Sequence, residues 1–224
     1  MARLKWLGHA AWHIEVDAKS VLIDPFITNN PAAPVKVDEL GKVDCVIVTH
    51  EHFDHVGDAF EICKSNDALF VALYELAVKA EQNGVKRTMG AGIGGTFTAD
   101  GLRLTFVPAF HTGNPSGVVI LGSDATIYHA GDTGLFGDMK LIGQLYKPDI
   151  ALLPIGGHYT MGPQEATVAV SLIKPKVVIP MHYNTFDAIR QDPKQFEKLV
   201  RAKAKGVKVV ILNPGESYEY ARKR

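Results

Sequence analysis

Cysteine is scarce in this chain, neither sign of charge is in excess, and no long apolar run occurs. Each absence closes off a class of protein. Two cysteines among 224 residues are too few for a disulfide framework. Cys45 lies in the apolar run DCVIV and Cys63 in DAFEICKS, so packed thiols and a reduced, cytoplasmic setting are expected. Lys+Arg and Asp+Glu each number 24, which leaves no long-range field to gather nucleic acid or anionic lipid. The terminal ARKR is basic but short and reads as a solvated chain end. No stretch approaches the roughly 18 apolar residues of a membrane span. The start, MARLKWLGHAAW, lacks the apolar run of a signal peptide. The expectation is a soluble protein with neither nucleic acid nor membrane as partner. A single domain over 1–224 is expected, long enough for a sizeable core.

What is present has a clear rhythm. RLKWLG, AWHIEV and SVLIDP read as short strands divided by turn residues. In AWHIEV, Trp12, Ile14 and Val16 alternate with His13 and Glu15, the period of a half-buried strand. NNPAAPVKVDEL reads as a loop, DCVIVTH as a buried strand, HVGDAFEIC as the start of a helix, and LYELAVKAEQNG as a second helix closed by Gly84. GGTFTADG, LRLTFVPA, GVVILGS and ATIYHAGD then read as strands, with hairpin turns at ADG and SDA. The last third alternates: helix GDMKLIGQLY, strand DIALLPIGG, helix GPQEATVAVSLI, strand KVVIPMH, helix DPKQFEKLVRAKAKG, strand KVVILN. Meandering strands followed by alternating strands and helices predict an α/β protein of mixed sheets covered by helices.

The stretch VIVTHEHFDHVGD, residues 46–58, gathers three histidines and three carboxylates behind a buried strand. His111 follows LTFVPA, Asp132 follows TIYHAG and His182 follows VVIPM. With His50, His52, Asp54 and His55, these seven all stand at the ends of strand-like runs, where a rigid base carries functional loops. Neutral imidazole and carboxylate suit zinc and other first-row divalent ions. Residues two apart in extended chain point the same way, so His50 and His52 can grip one ion. Asp54 and His55 come where the chain turns into a helix and can face a second. A carboxylate such as Asp132 can bridge the two. Glu51 and Asp58 read as bystanders, outward of the turn and in the first helical turn.

THEHFDH, PAFHTG, HAGDT and PMHYNT, in that order, resemble the motifs of the metallo-β-lactamase superfamily. WLGHAAWHIE and LIDPF match as well. The narrower likeness, carried by GHA, YHAGDTG and PIGGHYTMGP, is to small metal-dependent hydrolases akin to ascorbate-6-phosphate lactonase. The resemblance implies a four-layer αββα sandwich with the metals at one edge of its two sheets. It implies His50, His52 and His111 on the first ion, Asp54, His55 and His182 on the second, and Asp132 bridging. His52 stands where the flavodiiron oxidoreductases carry Glu.

Two divalent ions bring four positive charges, and Asp54, Asp132 and a bridging hydroxide offset three. The remaining positive centre stabilises a developing oxyanion, which favours hydrolysis, with Asp54 also orienting the hydroxide. His158, in PIGGHYTMG, is a candidate for touching substrate or donating a proton, and His9, in LGHAA, for facing the site. Asp24, in LIDPF, can fix the tautomer of a ligand histidine, and His129 is a candidate support behind the ligands. GAGIGG, residues 90–95, lacks the Gly-Lys-Ser/Thr ending of a phosphate loop and reads as a flexible loop bordering the site.

The expectation is a dinuclear hydrolase of a small ester, lactone or phosphorylated compound, with an anionic substrate and a homo-oligomer left open. A phosphodiesterase on nucleotides or phospholipid fragments is the alternative enzyme. A metal-dependent binding or sensor protein without turnover is the alternative of another class. Zinc is the default ion, with manganese, iron and nickel as alternatives.

Overall fold

The computed structural model describes residues 1–222. The first half of the chain supplies β1 (Ala2–Trp6), β2 (Trp12–Val16), β3 (Lys19–Ile23), β4 (Cys45–Ile47), β5 (Leu69–Leu73) and β6 (Thr88–Ala91). The second supplies β7 (Thr96–Ala99), β8 (Leu102–Pro108), β9 (Ser116–Leu121), β10 (Thr126–His129), β11 (Ile150–Pro154), β12 (Val177–Met181) and the two-residue β13 (Lys208–Val209). These make two sheets. The last strand, β14 (Ser217–Tyr220), returns to pair with β1, giving seven strands in each sheet.

Both sheets are mixed. β1–β3 run antiparallel and β3–β6 parallel; β7–β10 run antiparallel and β10–β13 parallel. The antiparallel β2 buries Trp12, Ile14 and Val16 on one face only, the alternation its sequence shows. The parallel β11 and β12 are buried at every position, because helices cover the face that the other sheet does not.

Those helices are α1 (Phe53–Val56), α2 (Ala59–Asn66), α3 (Tyr74–Gln82), α4 (Met139–Tyr146), α5 (Pro163–Ile173) and α6 (Pro193–Lys203). Ala59, Ile62 and Cys63 of α2 and Leu76 and Ala80 of α3 pack with Val46 and Phe70 of the first sheet. Met139 and Ile142 of α4, Ala169 and Val170 of α5, and Phe196 and Val200 of α6 join the larger core that also holds the inner faces of both sheets. The architecture is the expected sandwich, two mixed sheets flanked by helices.

Four features differ from the sequence reading. β5, β6 and β14 are strands that the sequence does not announce. HVGDAFEIC is two helices rather than one, because Gly57 turns the chain at φ +41° between α1 and α2. A Cβ there would meet the Pro25 oxygen at 2.5 Å, so only glycine lets α1 approach the end of β3 this closely. In GAGIGG, Gly90 and Ala91 finish edge strand β6, and Ile93 bridges to Phe106. That segment pairs with strands and does not line the site cavity. Finally, Arg222 of the terminal ARKR is exposed as expected but also bonds Asp149 at 2.6 Å, while Lys223 and Arg224 lie outside the described residues.

Candidate metal centre

The ends of β4, β8, β10 and β12 deliver the seven singled-out side chains to one edge of the sandwich. His50 and His52 leave β4 in extended chain, and Asp54 and His55 sit one helical turn on, in α1. His111 follows β8, Asp132 follows β10 and His182 follows β12. The backbone is strained here: His9, Asp24, His158 and His182 all adopt left-handed φ between 47° and 55°, a conformation that non-glycine residues hold only where surroundings over-determine it. Gly131, at φ +60°, carries Asp132 into place, and a Cβ on it would meet the Ser116 oxygen at 2.5 Å.

His50 Nε2 lies 3.1 Å from His52 Nδ1, and His111 Nε2 lies 3.3 Å from the same atom. Metal–imidazole bonds of about 2.0–2.1 Å in a tetrahedral set put neighbouring ligand atoms roughly 3.3 Å apart, so the spacing fits one ion. Asp54, His55 and His182 form a second cluster, with His9 beside it. Asp132 stands between the clusters. Its Oδ1 is 3.3 Å from His55 Nε2, and its Oδ2 is 3.1 Å from His182 Nε2 and 3.5 Å from His111 Nε2.

The hydrogen bonds decide which nitrogens are free. The Thr49 hydroxyl donates to Asp24 Oδ2 at 2.7 Å, so it accepts from His50 Nδ1 at 3.0 Å. The His50 proton is therefore on Nδ1, and its Nε2 presents a lone pair to the cluster. His55 Nδ1 donates to Asp24 Oδ2 at 2.7 Å, which turns His55 Nε2 inward. His9 Nε2 donates to Asp54 Oδ2 at 3.1 Å, and His9 Nδ1 accepts from the Thr185 hydroxyl at 2.9 Å. With its proton committed to Asp54, His9 holds that carboxylate rather than binding an ion itself.

His55 Nε2, Asp132 Oδ1 and both ring nitrogens of His182 are buried and make no hydrogen bond, although His55 and His182 lie near Asp132. Buried polar atoms without partners are costly. Here His55 Nε2 and His182 Nε2 face the two oxygens of Asp132 without a hydrogen bond, the arrangement of groups that share an ion.

Electrostatics follow from the crowding. Burial and the neighbouring His182 push His9 down to about 4, and burial with His55 beside it pushes His50 down to about 2. Burial alone would raise Asp132, but His182 and His55 hold it well below the usual carboxylate range. Burial likewise opposes ionisation of Asp54, and the His9 hydrogen bond reverses that. His55 runs the other way: burial disfavours its charge, yet Asp132 and Asp24 on either side raise it well above the ordinary imidazole range. An ion arriving at Nε2 takes the place of that proton.

The remaining candidates divide. Asp24 bonds a cluster histidine directly, as the sequence predicted. His129 hydrogen-bonds to backbone rather than to a cluster side chain. Its Nδ1 accepts from the Gly131 amide at 3.1 Å and its Nε2 donates to the Ala10 carbonyl at 3.0 Å, so it fixes the backbone beside Asp132. His158 does not reach the cavity. Its left-handed turn points Tyr159 inward instead, with the two rings edge to face at 4.3 Å. Thr49 and Thr185 escaped the sequence reading; their position beside His50 and in HYNT was the available signal. Asp58 stays out of the cluster, as expected, and accepts from the Ile27 and Thr28 amides at 3.0 and 2.8 Å, pinning the loop after β3. Glu51 is exposed, as expected.

Comparison with known proteins bears on this geometry. The model of a beta-lactamase superfamily domain matches residues 19–183. A UPF0173 metal-dependent hydrolase of Methanopyrus kandleri is 52% identical, over 97% of this chain and 99% of its own length. One from Caldivirga maquilingensis is 53% identical, over 96% and 97%. Among solved structures, Igni18, a novel metallo hydrolase from Ignicoccus hospitalis, is 43% identical with a TM-score of 0.92, covering 98% of this chain and 99% of that one. An isothiocyanate hydrolase from Delia radicum gut bacteria, 21% identical over 98% and 99%, shares the fold with a TM-score of 0.81.

Proposed function

The chain belongs to the β-lactamase superfamily and, within it, to the UPF0173 metal-dependent hydrolases, and from that premise we propose a two-ion hydrolase of a small ester, lactone or phosphorylated compound. His50, His52 and His111 would hold one ion and Asp54, His55 and His182 the other, with Asp132 shared between them. The observation that carries this is the set of buried, unbonded atoms on His55, Asp132 and His182, which sits beside a three-histidine cluster of ligand-like spacing. When bound, the ions supply Lewis acidity and a water that ionises near neutral pH; zinc suits the all-N/O donor set best.

The chain's own residues do the rest. Asp24 and Thr49 fix the tautomers of His55 and His50 so that both present Nε2 inward. His9, held by Thr185, fixes the Asp54 carboxylate in its ionised form and leaves its second oxygen to face the ion and its water. That oxygen can accept a proton from attacking water and aim it at the substrate.

The test is metal titration of the chelated protein, followed by a panel of chromogenic esters, lactones and phosphodiesters with zinc, manganese or nickel. Two ions per chain are expected, with hydrolysis of at least one neutral ester or lactone. Asp132→Ala should lower metal content and abolish turnover together. Normal metal content with full activity in that variant would remove Asp132 from the site. Metal uptake with every panel member unchanged would replace the hydrolase by a binding protein.

A further inference from the structure

The cluster opens into a cavity of about 510 Å³ whose floor is formed by His52, Asp54, His111, Asp132 and His182. Its walls are Phe53, Tyr159, Phe186, Ala188 and Thr112. Three aromatic side chains therefore ring the mouth, brought from α1, from the turn after β11 and from the segment after β12. They are exposed: 72% for Phe53, 56% for Tyr159 and 36% for Phe186. Two are braced from behind, Phe53 edge-on to Phe26 at 5.9 Å and Phe186 edge-on to His9 at 5.4 Å. Exposed aromatics gathered around a polar floor mark a surface that a ligand covers.

What the walls lack is equally informative. Among the described residues, no lysine or arginine lines this cavity. Lys140, Lys147, Lys174 and Lys176 instead line a different cleft, near the C-terminal ends of α4 and α5 and the start of β12. A carboxylate or phosphate on the part of a substrate away from the reacting centre would lose water against phenyl rings with no fixed cation to meet it. The polar wall groups outside the cluster are the uncharged hydroxyls of Tyr159 and Thr112, the latter 3.3 Å from His52 Nε2. We propose that the site selects uncharged substrates whose non-reacting part is apolar, and that Phe53, Tyr159 and Phe186 are the residues that determine this. The inference rests on the hydrolase reading above and narrows it, against the anionic substrate that the sequence leaves open.

The test pairs 4-nitrophenyl butanoate with 4-nitrophenyl hemisuccinate, which share the scissile ester and leaving group but differ in a terminal carboxylate. In the enzymatic step with both, the oxygen of water bonds to the acyl carbon, the ester C–O bond breaks, 4-nitrophenolate leaves, and the water's protons pass to solvent; the hemisuccinate also loses 4-nitrophenolate to its own carboxylate as succinic anhydride, so rates are read above a protein-free blank. The zinc-loaded protein should cleave the butanoate with kcat/KM at least about tenfold higher. Phe186→Ala and Tyr159→Ala should each raise KM for the butanoate roughly fivefold or more with little change in kcat. Phe53→Ser, at an exposed position, provides a variant that keeps the fold. Calorimetric binding of butyrophenone, an uncharged ketone that cannot be hydrolysed, gives a readout independent of turnover. It should weaken in all three variants. Equal or better cleavage of the hemisuccinate, or butyrophenone affinity unmoved by the three variants, overturns the proposal. Butyrophenone binding that depends on these aromatics, without cleavage of either ester, would sink the hydrolase reading and leave this one standing.

Discussion

Asp24 shows how much one buried carboxylate can decide. It accepts from the Thr49 amide at 2.8 Å, from the Thr49 hydroxyl at 2.7 Å and from His55 Nδ1 at 2.7 Å. An acceptor on every side fixes both neighbouring rings through a single group. Asp24→Asn keeps the shape but puts a donor either at the Oδ1 position, against the Thr49 amide, or at the Oδ2 position, against both the Thr49 hydroxyl and the His55 N–H. The first choice loosens the Thr49 backbone, and the second both releases His50 and drives the His55 proton to Nε2, where an ion would bind. Affinity for the ions should fall about 10–100-fold with the far-UV spectrum unchanged, as read by competition with a chromogenic chelator. Unchanged affinity would show that His55 is oriented by something else. All seven cluster residues were legible in the sequence, because imidazoles and carboxylates at strand ends stand out against apolar runs. Thr49 and Thr185 were not. A threonine after VIV reads as one more β-former, and its role depends on Asp24, which is 25 positions away. His158 misled for a related reason: the sequence places it in a glycine turn but does not show which neighbour the turn sends inward.

At the scale of elements, legibility followed punctuation. α6 was readable because Asp192 and Pro193 open it, and Asp192 caps it by accepting from the Lys194 amide at 2.9 Å. Asp192→Ala should cost about 1 kcal/mol and lower the thermal midpoint by roughly 2–4 °C. Metal content should stay as it was, because no α6 side chain belongs to the cluster; a fall in metal content would tie the helix to the site. β5 was invisible because no glycine or proline separates Leu73, which ends it, from Tyr74, which starts α3. ALFVALYELAVKA therefore shows no break between strand and helix. β6 was read as loop because its sequence is TMGA, and its strand character comes from pairing with β5 rather than from its own residues. β14, SYEY, is set by the edge of β1 in the same way.

At the scale of the molecule, each half of the chain builds a run of antiparallel strands that turns parallel, and each contributes to one cluster. His50, His52, Asp54 and His55 come from the first half, and His111, Asp132 and His182 from the second. The centre is complete only when the sheets are locked together, and Asp149 helps to lock them. It lies beside β11 of the second sheet and takes hydrogen bonds from the Thr126 amide at 2.9 Å and the Tyr220 hydroxyl of β14 at 2.9 Å. It also pairs with Lys176 at 2.8 Å and with Arg222. Burial alone would raise Asp149, but Lys176, the Thr126 amide, Arg222 and Tyr220 outweigh it and push the carboxyl down to about 2. Its unfolded value is about 3.9, so the native state binds its proton more weakly than the unfolded one. The resulting stabilisation, about 2 kcal/mol, is present above pH 4 and is lost as pH falls through the folded value. Asp149→Asn should therefore unfold more easily than the parent at pH 7, and the gap should close between pH 4 and 2 in urea titrations. A gap that stays constant down to pH 2 would mean that Asp149 acts through shape alone, and that the two sheets are held together by their apolar faces without it.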